Sequence, residues 1–233
     1  MNRKMVLWLV LVLGAVFMAC SHNDFGIKPL GKGKAQIVAY SGTKKTVRIP
    51  SKINGMSIIG IEINVFNNRF YEKQLTSVTI PNSVTFIGDS SFYGNQLTSV
   101  TIPNSVTFIG EKAFANNQLN SVTIPNSVTF IDRFAFFDNQ LTNVIIPNSV
   151  TSIGRGAFAN NQITKIIIGS NVYLGNKLEI LYFYFSEQFE YLDNKEVFEN
   201  GFDEFYEANG KKAGTYVFDN VYGKWSEVKE KNI

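Results

Sequence analysis

One stretch of 22 residues, Leu75–Gln96, repeats along this chain almost letter for letter. Further copies fill Leu97–Gln118, Leu119–Gln140 and Leu141–Gln162, and the spacing between copies never changes. A fixed period of this length is typical of solenoid proteins, because one unit is too small to bury its own apolar face and must stack on its neighbours. The repeat therefore predicts a stack of similar coils with a shared interior.

Each copy opens with a pattern that predicts a short β-strand. Leu75, Val78 and Ile80 follow the L-x-x-L-x-L spacing of leucine-rich repeats. Because alternate side chains of a strand point to opposite faces, Val78 and Ile80 are expected to point inward. Pro81 ends the strand, since proline has no N–H to donate to a ladder. The triplet Pro-Asn-Ser that begins there predicts a turn.

The second half of each copy supplies the rest of the interior. Val84 and Ile87 form a second apolar run closed by Gly88, and Phe92 is the large side chain expected to fill the middle of the coil. Asn95 recurs before every following strand. Since equivalent residues of stacked coils lie about 4.8 Å apart, we predict that this asparagine column forms a ladder that satisfies the amides of the turns.

The outward positions of the first strand form a candidate partner-binding surface. They are mostly hydroxyl residues, and they change character only in the last copies, at Ile145 and Ile167. A face of this kind offers hydrogen bonds to an extended partner, although rows of Ser and Thr also suit a sheet that is simply solvated. The candidate residues are Ser77, Thr79, Ser99, Thr101, Ser121 and Thr123.

A column of aromatic residues forms a second candidate surface. Phe86, Phe108 and Phe130 lie between a threonine and an inward isoleucine, so we expect them to be partly exposed, and Tyr93 is a candidate extension of the strip. Exposed contiguous apolar surface often marks an interaction site. The alternative is that the rings stack on one another and stiffen the sheet, which contributes about 0.5–1.5 kcal/mol per pair.

The repeats resemble a known family, the BspA-like or Treponema-type bacterial leucine-rich repeats. The resemblance rests on the pattern L-x-x-V-x-I-P-x-S-V-T-x-I-G-x-x-A-F, complete at Leu97–Phe114, and it extends from residue 35 to about residue 175. Departures include Asp132 in the glycine column and Gly169 in the proline column. The resemblance implies a mainly β, right-handed solenoid with strands on the concave side and little helix. It also implies a secreted or cell-surface protein with a role in adhesion.

The N-terminus resembles a bacterial export signal. Arg3 and Lys4 precede an unbroken apolar run, Met5–Met18, which is shorter than the roughly 20 residues that span a bilayer. The sequence Phe17-Met18-Ala19-Cys20 is similar to a lipobox, which predicts a signal peptide over residues 1–19 and acylation of Cys20. The alternatives are an ordinary cleaved signal with an incidental cysteine, or an uncleaved anchor.

The segments on either side of the repeats are expected to tether and cap the solenoid. We predict a lipid-anchored tether over residues 20–34, an N-terminal cap with a diverged first repeat over 35–74, and the solenoid over 75–176. From Lys28 to Lys52 there are seven basic residues and no acid. This stretch either contacts anionic lipid headgroups beside the anchor or is an ordinary solvated surface.

A small α+β module is predicted to cap the solenoid over residues 177–233. Phe198, Phe202, Phe205 and Tyr206 have the spacing of an amphipathic helix that stops at Asn209-Gly210. The sequence GTYVFD at residues 214–219 predicts a strand, and the Lys-Trp-Ser sequence at residues 224–226 predicts a short return strand. The strongly apolar run LYFYF at residues 181–185 predicts a further strand.

Composition excludes several classes of function. One cysteine and one histidine leave no basis for a Cys/His zinc site or a histidine-based triad, and a net charge of +3 is too small to indicate nucleic-acid binding. We therefore expect no cofactor, no metal and no enzymatic activity. The sequence favours a lipid-anchored protein of the cell envelope, on the outer-membrane surface, that binds protein or glycan partners of the host or of other bacteria. The alternative is a structural envelope spacer without a host ligand.

Overall fold

The computed structural model describes residues 24–68, 74–175, 198, 201–219, 222 and 224–228. Over these residues the chain winds into coils that repeat every 22 residues, as the sequence predicts. Each central coil runs through a first strand or bridge, the Pro-Asn-Ser turn, a two-residue second strand and a closing turn. Parallel pairing between consecutive coils joins each second strand to the same residues one period later, as at Phe86 opposite Phe108 and Ile87 opposite Ile109.

The strands of the N-terminal cap precede the regular coils. They are β1 (Phe25–Gly31), β2 (Lys34–Tyr40), β3 (Thr46–Arg48), β4 (Lys52–Ile53) and β5 (Met56–Ile61). The central coils contribute β6 (Ser77–Thr79), β7 (Phe86–Ile87), β8 (Phe108–Ile109), β9 (Phe130–Ile131), β10 (Asn143–Ile146), β11 (Ser152–Ile153), β12 (Lys165–Ile168) and β13 (Tyr173–Leu174). In the described residues, nine strands form one long sheet, in the order β1-β2-β5-β7-β8-β9-β11-β13 with β4 also paired to β5.

The prediction of a tether over residues 20–34 is wrong from Phe25 onward. Residues 25–31 form β1, which pairs antiparallel with β2 and places Ile27 in the core at 1% exposure. Lys32 and Gly33 join the two strands with φ values of 49° and 68°, the left-handed conformation that a tight two-residue hairpin requires. The cap therefore includes Phe25, ten residues before its predicted start at residue 35.

A ladder of phenylalanine rings runs through the middle of the coils. Rings stack face to face from coil to coil at centroid distances of 5.1–5.5 Å and interplanar angles of 3–9°. The ladder consists of Phe66, Phe92, Phe114, Phe136, Phe158 and Phe198. At its N-terminal end Phe66 meets Tyr40 at 5.1 Å, and at its C-terminal end Phe198 meets Phe202 edge-on at 5.2 Å. The predicted position of Phe92 inside the coil is thus confirmed.

The predicted asparagine ladder is also confirmed. In Asn117 the side-chain oxygen accepts the backbone N–H of Leu97 at 3.1 Å. Its amide nitrogen donates to the carbonyls of Phe92 in the previous coil and Phe114 in its own coil, at 2.9 and 3.0 Å. Asn95, Asn139 and Asn161 make equivalent bonds. Each asparagine therefore satisfies buried backbone groups that no strand ladder reaches.

The C-terminal module packs on the last coil as a short helix and a hairpin. Helix α1 (Phe202–Ala208) ends at Asn209, and Gly210 follows with φ 70°, as predicted. Strand β14 (Gly214–Asp219) pairs antiparallel with β12, and β15 (Lys224–Glu227) pairs antiparallel with β14, so both predicted strands are confirmed. The predicted signal peptide over residues 1–19, the predicted lipidation site Cys20 and the predicted strand at residues 181–185 lie outside the described residues.

Candidate functional site

The first strands of the coils present two parallel rows of exposed side chains, which we call the hydroxyl face: Ser77, Thr79, Ser99, Thr101, Ser121 and Thr123. All six are exposed, while Val78, Val100 and Val122 between them are buried. Parallel pairing aligns the rows, because Thr101 bridges to Thr123 and Thr123 to Ile145. Equivalent hydroxyls therefore recur at the strand spacing of about 4.8 Å. The structure brings these six predicted residues together on one surface.

The N-terminal end of the hydroxyl face is basic. Arg48 lies directly opposite Thr79 and continues its row by one coil. Arg48 and Lys52 line a shallow groove of about 350 Å³ together with Ser51 and Thr79. A guanidinium group beside hydroxyls suits a carboxylate, sulfate or phosphate group on a partner, because arginine presents several donors in a fixed plane.

The C-terminal end of the hydroxyl face is apolar. Ile145 and Ile167 replace threonine in the outer row, and Ile145 is 51% exposed. Here the hairpin of β14 and β15 forms the far wall of a groove of about 590 Å³, which Ile145, Ile167 and Val228 line. Sequence reasoning missed this groove, because it depends on the antiparallel pairing of β14 with β12, which no local pattern encodes. The isoleucines at 145 and 167, where earlier copies have threonine, were the one available signal in the sequence.

The aromatic column occupies the outer face of the long sheet. Phe86, Phe108 and Phe130 lie opposite one another in register and are all partly exposed, as expected. Phe108 and Phe130 also stack, with centroids 5.8 Å apart and planes 5° apart. The ring of Phe86 lies over Gly60, where a Cβ atom would overlap it. Stacking thus accounts for part of the column, and its role in partner binding stays a prediction.

Tyr93 does not belong to that column. It lies in the closing turn, one residue after the buried Phe92, and its carbonyl accepts the backbone N–H of Asn68 at 3.0 Å. The aromatic column instead continues through Ser152 to Tyr173, which is 54% exposed. Lys211 Nζ lies 4.4 Å from the centroid of the Tyr173 ring.

The closing turns carry a small cluster of charges. Glu111 accepts hydrogen bonds from Arg133 at 2.8 Å and from Lys112 at 2.9 Å. Burial raises the pKa of the neighbouring Asp132 carboxyl, and its bond from the Arg133 backbone N–H opposes that rise. Asp132 occupies the position of Gly110 and Gly154 in the neighbouring coils, where an added Cβ atom would lie within 3 Å of the preceding turn. These charged groups therefore lie where consecutive coils pack together.

The described residues contain no group of three or more His, Cys, Asp or Glu side chains placed to hold a metal ion. Within the same residues, no helix has both the length and the apolar character to cross a membrane.

Comparison with known proteins places the repeats in a defined family. A family described as "BspA type Leucine rich repeat region" matches residues 63–189 in six copies, more than half of the 233 residues. No curated protein sequence matches the chain.

Solved structures of bacterial leucine-rich repeat proteins are similar to the chain. The T. pallidum Leucine Rich Repeat protein is 25% identical over 61% of this chain and 68% of its own, with a TM-score of 0.52. A leucine-rich repeat protein from Bacteroides ovatus ATCC 8483 is 22% identical over 65% of this chain and 43% of its own, with a TM-score of 0.57. Both similarities support the solenoid fold.

A leucine rich cell surface protein from Faecalibacterium prausnitzii A2-165 is 26% identical over 65% of this chain, with a TM-score of 0.39. This chain covers 54% of that protein and 43% of the Bacteroides ovatus protein, so it spans about half of either.

Proposed function

Because the chain belongs to the BspA-type leucine-rich repeat family, we propose that it is a non-enzymatic surface protein that binds a protein or glycan partner through its hydroxyl face. The proposed role is adhesion to host matrix, host cells or other bacteria. Repeat solenoids of this kind present extended surfaces rather than enclosed pockets, and an extended surface suits an extended partner.

The observation that carries this proposal is the aligned array of six exposed hydroxyls between a basic and an apolar end. Each hydroxyl both donates and accepts hydrogen bonds, so the rows can match the alternating donors and acceptors of a strand or a sugar chain. The two ends of the hydroxyl face differ chemically, with Arg48 at one end and Ile145 at the other. We infer a partner with an anionic group near Arg48 and an apolar group in the groove beside Ile145.

A binding assay on the full chain tests this proposal. The substitutions Thr101→Val and Thr123→Val remove two hydroxyls and keep side-chain shape. With a net contribution of about 1 kcal/mol per hydrogen bond, their combined loss should raise the dissociation constant by roughly 30-fold. The probes are immobilised fibronectin, immobilised fibrinogen and whole cells of other bacteria.

The matched control changes two exposed threonines on a different side of the coil, Thr107→Val and Thr129→Val. Their hydroxyls donate to backbone carbonyls of the preceding coil. Binding should therefore be unchanged in the control variant. Equal losses in both variants would show that the hydroxyl face is not the binding surface.

We further propose that acylated Cys20 anchors the protein on the outer-membrane surface. The support is the export signal and the single cysteine at its end. Each buried CH₂ of an acyl chain contributes about 0.8 kcal/mol, so more than one chain gives stable attachment. Growth with radioactive palmitate should label the protein, and Cys20→Ala should abolish the label. Protease treatment of intact cells should remove the solenoid if the proposed surface location is correct.

The alternative function is a structural spacer in the envelope. A spacer requires only a stable solenoid and an anchor, both of which the adhesin proposal also requires. Failure to bind any member of the probe panel, together with resistance to protease on intact cells, would favour the spacer.

A further inference from the structure

A single row of side chains crosses the outer face of the long sheet. Strand pairing fixes its register, since each member lies directly opposite the next, and directly opposed residues share a face. The row runs through Gln36, Gly60, Phe86, Phe108, Phe130, Ser152 and Tyr173. From β1 to β13 it spans about 34 Å at the usual strand spacing.

Lysines occupy the N-terminal end of the same face. Lys28 lies opposite Gln36, while Lys34 and Lys52 each lie opposite Ser57 from the two strands that flank it. All three lysines are exposed. The sequence contains no acid between residues 25 and 61, so this end of the face is uniformly positive.

Partly exposed rings occupy the rest of the face. Phe86, Phe108 and Phe130 are each partly exposed, and Tyr173 is 54% exposed with Lys211 beside its ring. We call this surface, from Lys28 to Tyr173, the lysine–aromatic face. It joins basic side chains to aromatic rings that are too exposed for a core and too continuous for an ordinary solvated sheet.

We propose that the lysine–aromatic face lies against an anionic phospholipid surface, with the hydroxyl face left free for its partner. Lysines near such a surface are attracted to its headgroups. Tyrosine is enriched at the boundary between headgroups and acyl chains, and phenylalanine is common on apolar faces that insert there. The acids that follow the strands of this face, Asp89, Glu111 and Asp132, lie in the closing turns. Glu111 is paired with Arg133 and Lys112.

The position of the predicted anchor agrees with this orientation, and this step rests on the acylation of Cys20 proposed above. Asp24 lies four positions after Cys20, so the two residues are at most about 14 Å apart. Strand β1 therefore begins close to the membrane. Its far end, about 20 Å away, stays near the bilayer only if the sheet lies along it. A sheet that lies along the bilayer with this face toward it presents Lys28 and Lys34 to the headgroups.

Fluorescent reporters at two serines test which face meets lipid. Ser152→Cys places a thiol within the aromatic row, and Ser121→Cys places one on the hydroxyl face. Both are made in full-length chain carrying Cys20→Ala and labelled with an environment-sensitive nitrobenzoxadiazole dye. The apolar run Met5–Met18 is present in every variant, so any attachment it causes is the same throughout.

On vesicles of phosphatidylcholine mixed with phosphatidylglycerol, the label at residue 152 should shift to shorter wavelength and brighten several-fold. The label at residue 121 should not change. On phosphatidylcholine alone, or in about 1 M NaCl where charges are screened beyond about 3 Å, the response at residue 152 should be lost. Lys28→Gln and Lys34→Gln together should also abolish it; Lys52 is left unchanged, because it also lines the groove beside Arg48 at the end of the hydroxyl face.

The matched control replaces two exposed lysines near the other end of the chain, Lys212→Gln and Lys224→Gln, and should keep the response. An unchanged label at residue 152, or equal responses at residues 152 and 121, would overturn the proposal. The proposal would also be overturned if the label at residue 152 did not respond to vesicles while Phe108→Ser abolished capture by fibronectin or fibrinogen. The lysine–aromatic face would then bind protein. Loss of partner binding in hydroxyl-face variants leaves the lipid response intact, so the two proposals fail separately.

Discussion

Ser91 shows how one residue departs from an otherwise regular column. It is fully buried, and its hydroxyl has no hydrogen-bond partner among the described residues. The equivalent residues in the next copies are Ala113, Ala135 and Ala157, all fully buried. A buried hydroxyl without a partner costs about 1–3 kcal/mol, so the serine weakens its coil.

Ser91→Ala should therefore raise the free energy of unfolding by about 1 kcal/mol or more. Urea denaturation of the two proteins gives the difference. The mirror substitution Ala135→Ser introduces the same unpaired hydroxyl and should lower stability by a similar amount. A neutral or destabilising Ser91→Ala would mean that the hydroxyl is satisfied in solution.

Asp132 makes the stability of the folded protein depend on pH. Burial raises the pKa of its carboxyl above the usual value of 3.8, so the folded state holds the proton more tightly than the unfolded chain does. By linkage, stability contributed by this group is largest in acid and is lost as pH rises through the window between 3.8 and the raised pKa.

Asp132→Asn should remove the loss of stability across this pH range. The difference in unfolding free energy between the variant and the parent should grow in favour of the variant as pH rises from about 4 and then become constant. Asp132→Gly, with the residue found at Gly110 and Gly154, should give the same pH profile. Urea denaturation at several pH values measures both, and parallel profiles for parent and variants would contradict the assignment.

At the scale of elements, one tyrosine adds hydrogen bonds between the C-terminal module and the solenoid, beside the pairing of β14 with β12. Tyr206 on α1 is fully buried, and its hydroxyl donates to the Gly169 carbonyl at 2.5 Å and accepts the Val172 N–H at 3.4 Å. Both partners belong to the last coil. The helix therefore attaches where the proline column ends, at the glycine that replaces proline in the fifth copy.

Tyr206→Phe should destabilise the attachment of the C-terminal module and leave the stability of the central coils unchanged. Loss of the hydroxyl leaves two buried backbone groups unpaired, which costs about 1–3 kcal/mol. Amide hydrogen exchange should accelerate in β14 and β12 more than in β7 to β9. Tyr222→Phe removes an exposed hydroxyl and should change neither region. Uniformly faster hydrogen exchange throughout the molecule would indicate that the C-terminal module and the coils open together.

The elements also show what the sequence could and could not predict. Local patterns were sufficient for α1, β14 and β15, because each has the period and the stop signal of its own type. Strand β1 was missed because its turn needs two left-handed residues, and lysine at the first of them is not a recognised signal. The groove beside Ile145 was missed because it exists only after β14 pairs with β12.

At the scale of the whole molecule, stability is carried by contacts between neighbouring coils. The phenylalanine ladder and the strand pairing connect one coil to the next at a separation of 22 residues, and the asparagine bonds do so at 25 residues. In such an array stability is close to a sum over units and their interfaces. Removing one whole unit should therefore leave every remaining interface intact.

Deletion of residues 97–118 should yield a folded protein with a shorter solenoid. Phe92 would then stack on Phe136, Asn139 would reach the Phe92 carbonyl, and β7 would pair with β9, because the residues that meet are the same in each copy. We expect a β-type circular dichroism spectrum and a cooperative but lower melting transition. Deletion of residues 97–107 removes half a coil and brings unlike residues into register, so apolar and polar columns no longer align. That variant should lose cooperative unfolding and aggregate, and equal behaviour of the two deletions would mean that the coils do not depend on the 22-residue register.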